Sequence, residues 1–166
     1  MAANPFDLSG KVAFITGGNG GLGLGMGIGL AEAGASIVVA SRDEEKTNNA
    51  VAQLEATGAK AMGVSCDVVD AESIASAVAQ AVDAFGGIDI LINNSGTSFR
   101  AQPEDIPEDE WDRVIDTNLK GPFLVSKAVY PEIKKRGGGK IINIGSMMSI
   151  FASEYASPYA SSKGGI

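Results

Sequence analysis

Histidine is absent from the 166 residues and cysteine occurs once, at Cys66. These absences remove histidine-based triads, zinc held by three or four His/Cys ligands, and any intrachain disulfide. Proton transfer would then fall to Tyr, Lys, Asp or Glu. Basic residues are also few: 13 Lys and Arg stand against 20 Asp and Glu, a net charge of −7. A nucleic-acid partner is not expected, because neutralising phosphates needs a net basic face. No apolar run is long enough to span a bilayer, and residues 1–10 carry neither the basic flank nor the apolar stretch of a secretory signal, so a cytoplasmic location is expected. The remaining composition, 45% apolar and 20% charged, is that of one globular domain over residues 1–166.

Glycine is present in excess, at 22 residues, eight of them within residues 17–29. Around that cluster, short apolar runs alternate with longer helical patterns, the rhythm of a parallel sheet crossed by helices. Strands are predicted at 11–16 (KVAFIT), 36–40 (SIVVA), 60–65 (KAMGVS), 88–92 (IDILI) and 140–144 (KIINI). Helices are predicted at 21–33, 43–57, 71–85 and, as one long element entered at Pro107, 108–136 with Trp111, Ile115, Leu119, Val125, Val129 and Ile133 along it. Gly86 and Gly87 suit a helix end after Phe85. The first helix carries glycines at 25, 27 and 29, each costing about 1 kcal/mol relative to alanine, so packing or a ligand must hold it. Right-handed crossovers then give an α/β, Rossmann-type doubly wound parallel sheet, most simply ordered 3-2-1-4-5.

The stretch Thr16-Gly17-Gly18-Asn19-Gly20-Gly21-Leu22-Gly23 follows a strand and opens a helix, where glycines let backbone amides approach a pyrophosphate. Two templates fit it: G-x-G-x-x-G through Gly18, Gly20 and Gly23, and T-G-x-x-x-G-x-G through Gly17, Gly21 and Gly23. A P-loop is excluded, since neither Gly-Lys pair, Gly10-Lys11 or Gly139-Lys140, is followed by Ser or Thr. The next strand ends at Ser41 and Arg42, near the expected adenosine ribose. A guanidinium there pairs with a 2′-phosphate and favours NADP, while Asp43 keeps NAD open.

Tyr159 and Lys163 lie four residues apart and so share a helix face. Tyrosine titrates near 10 when free, and a neighbouring ammonium favours its phenolate. Tyr130 and Lys134 repeat the spacing within the long helix. Context separates the pairs: Tyr159 follows the fifth strand, whose end delivers Gly145 and Ser146 to the edge where open α/β sheets bind ligands. Tyr130 is read as packing or surface.

Thr16 to Gly23, Asn93-Asn94-Ser95-Gly96 in place of N-N-A-G, Asn118, Ser146, and Tyr159 with Lys163 resemble the short-chain dehydrogenase/reductase family from Lys11 to the last residue, and the opening N-P-F-D-L-S-G-K is similar to gluconate and polyol dehydrogenases. The resemblance implies an NAD(P)-dependent oxidoreductase, NADP-preferring with NAD allowed, that moves hydride to or from a small hydroxyl or carbonyl substrate such as a sugar acid, polyol or ketone. It implies Tyr159 as general acid and base, Lys163 as its electrostatic partner and ribose ligand, Ser146 as donor to the substrate oxygen, and Asn118 as anchor of a relay water. Cofactor contacts are implied for Gly17, Asn19, Gly21, Leu22, Gly23, Ser41, Arg42, Asp67, Val68, Asn94, Gly96, Tyr159 and Lys163, with Asp67 at the adenine. It further implies a homodimer or homotetramer. The family pattern continues beyond residue 166 through the rest of that helix and two more strands, so a missing C-terminal segment, an unprotected fifth strand and a binding module without turnover are expected alternatives.

Other residues receive plainer readings. Cys66 is a small apolar filler, Glu108, Asp109 and Glu110 complement a helix N-terminus, and Lys134, Lys135 and Arg136 complement its other end. Residues 97–102 and 147–151 should border the substrate, with Arg100 a candidate carboxylate ligand and Tyr155 either facing the pocket or packing.

Overall fold

All five residues of β1 (Val12–Thr16) are buried, because successive side chains point to opposite faces of the sheet and helices cover both. The computed structural model describes residues 5–166, so the signal-peptide reading falls partly, at residues 1–4, outside the described residues. Five strands form one parallel sheet: β1, β2 (Ser36–Ser41), β3 (Ala61–Ser65), β4 (Ile90–Asn93) and β5 (Lys140–Asn143), in the order β3-β2-β1-β4-β5. The doubly wound Rossmann-type topology expected from the sequence is borne out. On one face Phe14, Val38 and Leu91 meet Ile74 and Val78 of α3 (Ala71–Phe85) and Val125 and Val129 of α5 (Gly121–Lys135). On the other, Ile15, Ile37 and Ile92 meet Ala31 of α1 (Gly21–Glu32) and Leu54 of α2 (Glu44–Glu55). The glycine-rich α1 is held by this packing: Gly23, Gly27 and Ala31 form its buried stripe, and Gly27 approaches Leu54 and Ile15.

Local chemistry sets the helix ends. Asp43 caps α2 by accepting from Lys46 N at 3.0 Å, and Asp70 caps α3 by accepting from Glu72 N at 2.9 Å and Ser73 N at 3.2 Å. Gly86, left-handed at φ +78°, ends α3 where the sequence predicted.

The predicted helix 108–136 requires correction. It is three segments: α4 (Glu108–Ile115), a π-helical turn (Asp116–Lys120) and α5. The buried stripe passes through Val114 and Asn118, whereas Trp111 is exposed and Ile115 and Leu119 are half-buried. A π turn adds one residue and rotates the face beyond it, which turns Asn118 inward and lets α5 reset at Gly121 and Pro122. Two short helices follow β5: α6 (Met148–Phe151) and α7 (Ser157–Gly165), the latter packed on α4 and the π turn. β5 occupies the sheet edge with Ile142 44% exposed.

At the amino-terminal edge of the sheet Asp89 is 2% exposed and accepts from Val12 N at 3.0 Å, Arg136 Nη2 at 3.1 Å and Lys11 Nζ at 3.3 Å. Arg136 thus turns into the fold instead of merely complementing a helix end. Burial pushes the Asp89 carboxyl upward, but the bonds from Arg136, Val12 and Lys11 outweigh it and leave the carboxyl below its ordinary value. Because the folded value lies below the unfolded one, its stabilisation is complete above the ordinary carboxylate range and is lost as pH falls toward the folded value. Asp89→Asn should therefore lower unfolding free energy at neutral pH by about 3 kcal/mol. Urea unfolding should show that difference shrinking below about pH 4. An undiminished difference at low pH would contradict the assignment.

Candidate functional site

The carboxyl ends of β1 and β4 lie side by side, with Thr16 opposite Asn93, and the sheet's two faces are covered differently beyond them, by α1 on one and α5 on the other. Thr16 Oγ1 accepts from Asn94 N at 3.0 Å and Ser95 N at 3.1 Å. In return, Asn94 Nδ2 donates to Thr16 O at 3.1 Å and Gly17 O at 3.0 Å. This exchange decides between the two glycine templates. Gly17 and Gly21 are the left-handed residues, at φ +62° and +50°, and a Cβ on Gly23 would lie 2.4 Å from Gly17 O and 2.6 Å from Asn94 Nδ2. Gly20 is extended, a conformation open to any residue, so the geometry selects Gly17, Gly21 and Gly23.

Two clefts open beside this turn. The first, about 370 Å³, is lined by Gly17, Asn19, Ser41, Arg42, Asp67, Val68, Asn94 and Gly96. Asn19 Nδ2 donates to Ser41 Oγ at 2.6 Å, bracing the turn against the end of β2. Arg42 is 76% exposed at its side chain and stands 3.6 Å from Asp67 Oδ2. Cys66 sits at the cleft floor, 3% exposed, and burial with the nearby Asp67 and Asp70 carboxylates pushes its thiol up to about 11, which fits an unreactive filler. Arg113 and Thr117 also line this cleft, and sequence reasoning missed both. Their four-residue spacing on α4 and the π turn was the available signal. Arg113 bonds to Glu110, Thr97 Oγ1 and Ser98 O, holding the loop after β4.

The second cleft, about 650 Å³, is lined by Leu22, Arg100, Ser146, Met148, Tyr159 and Lys163, and it shares Asn94, Gly96 and Thr97 with the first. Lys163 is buried, donates from Nζ to Ile144 O at 2.7 Å and lies 5.8 Å from the Tyr159 ring centroid. Burial draws its ammonium below the ordinary value. Ser149 Oγ donates to Lys163 O at 2.7 Å and accepts from Ser146 N at 3.3 Å, so α6 ties the Ser146 segment to α7. Tyr155 stands outside the cleft, half-exposed, its carbonyl accepting from Ala101 N at 3.1 Å. The competing pair, Tyr130 and Lys134, lies on a separate surface hollow beside Gly137 and Gly138, away from the glycine turn.

Asn118 lies in neither cleft wall. It is fully buried, its Oδ1 accepts from Thr97 N at 2.8 Å, and its Nδ2 donates to Thr97 O at 2.8 Å and Ser162 Oγ at 3.1 Å. The amide therefore joins the loop after β4 to α7, which carries Tyr159 and Lys163.

Residues 11–166 match the profile of the short chain dehydrogenase family. The chain is 40% identical over 157 residues to dehydrogenase/reductase SDR family member 4 of Homo sapiens, covering 94% of this chain and 56% of that protein. It is 39% identical over 167 residues to the 2-dehydro-3-deoxy-D-gluconate 5-dehydrogenase of Formosa agariphila, covering 100% of this chain and 63% of that one. Among solved structures, an NAD+-bound xylitol dehydrogenase superposes with a TM-score of 0.92 at 34% identity, over 95% of this chain and 61% of that chain. The chain thus spans between half and two thirds of the length of these relatives.

Removing the Asn118 amide would leave Thr97 N and O without their partner inside the fold. Asn118→Ala should cost about 2–3 kcal/mol in chemical denaturation. A loss under about 0.5 kcal/mol, the range of an ordinary surface change, would contradict the joining role.

Proposed function

The chain belongs to the short chain dehydrogenase family, and from that membership we propose that residues 1–166 form a dinucleotide-binding domain of an NAD(P)-dependent oxidoreductase acting on a hydroxyl/carbonyl pair in a sugar acid, polyol or ketone. The observation that carries the reading is the convergence of Ser146, Tyr159 and Lys163 on one cleft that adjoins the glycine turn. The chain's own geometry fits a dinucleotide. The space outside Gly20 and Gly21 is open, with no protein atom within 4 Å of where a Cβ would stand, and the two clefts share Asn94, Gly96 and Thr97, so that together they run from Arg42 to Lys163.

When bound, the nicotinamide supplies or accepts the hydride. In the reduction direction the Tyr159 phenol gives its proton to the carbonyl oxygen, and in oxidation it takes the proton back. Lys163, at one helical turn, sets its ammonium 5.8 Å from the centre of the Tyr159 ring and can also hold the nicotinamide ribose. The Ser146 hydroxyl donates to the same substrate oxygen as its charge develops. Asn118 belongs to this reading as the anchor of a relay water, and its side chain, bonded to Thr97 and Ser162, holds the loop after β4 against α7. Assembly as a homodimer or homotetramer belongs to this reading, and Phe123 and Tyr130, exposed seven residues apart on α5, offer a face for it.

NADP is the preferred cofactor in this proposal, because Arg42 stands at the end of β2 beside the adenosine cleft and its link to Asp67 is loose and exposed. Arg42→Ala should weaken NADP binding about tenfold and leave NAD binding within about twofold, read by calorimetry. Equal loss for both cofactors, or none, contradicts the 2′-phosphate contact.

Tyr159→Phe should lower kcat about a hundredfold or more while cofactor affinity stays unchanged, in steady-state oxidation of NADPH with a panel of carbonyl compounds. Unchanged turnover in that variant would remove Tyr159 from the reaction. Cofactor binding by the unsubstituted chain with no carbonyl reduced would leave it a binding module.

A further inference from the structure

Three of the four arginines have a carboxylate of the chain beside them: Arg113 bonds to Glu110 at 2.5 Å, Arg136 bonds to Asp89 at 3.1 Å, and Arg42 stands more loosely, 3.6 Å from Asp67 at the first cleft. Arg100 is the exception. Among the described residues it has no ion pair and its side chain makes no hydrogen bond, yet it lines the cleft that holds Ser146, Tyr159 and Lys163. The other cation there, Lys163, is already engaged with Ile144 O. None of the described acidic residues lines this cleft, so its wall carries two cations and no anion on a chain of net charge −7.

Those charges constrain what the cleft can retain. The long-range field of a chain with this net charge repels anions, so an anionic ligand needs a local cation to hold it. A guanidinium without an internal partner is a planar fork matched to carboxylate oxygens, and an ammonium bonded to a main-chain carbonyl is not its equal. Arg100 is also positioned with the reacting groups. Ala101 N donates to Tyr155 O at 3.1 Å, tying the residue after Arg100 to the segment that enters α7. Leu22 and Met148 add apolar wall for a short carbon chain.

We propose that Arg100 is the specificity-determining residue of this cleft and that the substrate bears a carboxylate at the end remote from its reacting carbon. The inference rests on the reading of Tyr159 and Ser146 as the reacting end, and adds the charge of what lies at the other.

The test reads binding, so that it does not depend on turnover. The full chain saturated with NADP+ is titrated calorimetrically with oxo acids of four to six carbons, each beside its uncharged primary amide. At least one acid should bind about tenfold more tightly than its amide. Arg100→Gln should abolish that preference without altering affinity for the amide or for NADP+, and Arg100→Lys should restore part of it. Equal binding of acids and amides, a preference that survives Arg100→Gln, or no binding of either at millimolar concentration overturns the proposal even if the chain reduces carbonyl compounds. An Arg100-dependent preference in a chain that reduces none supports the carboxylate contact and counts against the hydride-transfer reading alone.

Discussion

The exchange of hydrogen bonds between Thr16 and Asn94 is the constraint on which the rest of the site depends. Where two parallel strands end side by side, the peptide groups beyond the last ladder bond lack partners. Thr16 Oγ1 satisfies two such amides and Asn94 Nδ2 satisfies two such carbonyls. The glycine requirement follows from the same contact. With Asn94 Nδ2 pressed against the turn, a Cβ on Gly17 would stand 3.1 Å from it and one on Gly23 2.6 Å from it. The glycines that shape the crevice and the asparagine that fills its floor are therefore one arrangement, not two motifs.

From that floor the loop after β4 is held by further side chains, and through them the two clefts are kept in register. Asn118 takes both main-chain groups of Thr97 and reaches Ser162, and Arg113 takes the Thr97 hydroxyl and Ser98 O. Ser149 then connects the Ser146 segment to the carbonyl of Lys163. Each element carrying a candidate reacting group is thus bonded to a neighbour that carries another. The buried Lys163 ammonium finds its acceptor at Ile144, the residue that follows β5, so the end of the fifth strand supports the amine directly.

Much of this was legible in the residues. Strands such as 36–40 are continuous apolar runs because both faces are buried, and such runs announce a parallel sheet whose order the crossover rule nearly dictates. Tyr159 and Lys163 were legible from spacing, and the choice over Tyr130 and Lys134 from position relative to the fifth strand. The π turn was not, since Asp116 to Lys120 carries no residue that breaks a helix and the inward rotation of Asn118 depends on packing against α7. Partnerships between distant charges were equally hidden. Arg136 reads as one end of a basic helix terminus and is in fact bonded to Asp89, 47 residues away in sequence. The pairing of Arg42 with Asp67 joins two residues that sequence reasoning had assigned separately to a phosphate and a base.

The central claim is that the crevice floored by Thr16 and Asn94 receives a nicotinamide dinucleotide along its whole length. Amide hydrogen exchange of the chain with and without saturating NADP+ tests it most directly. The account predicts slowed exchange at residues 17–23, 41–42, 67–68 and 94–97 together with the segment from Ser146 to Lys163. Unchanged exchange in those segments, or protection confined to the surface around Tyr130 and Gly138, would contradict it.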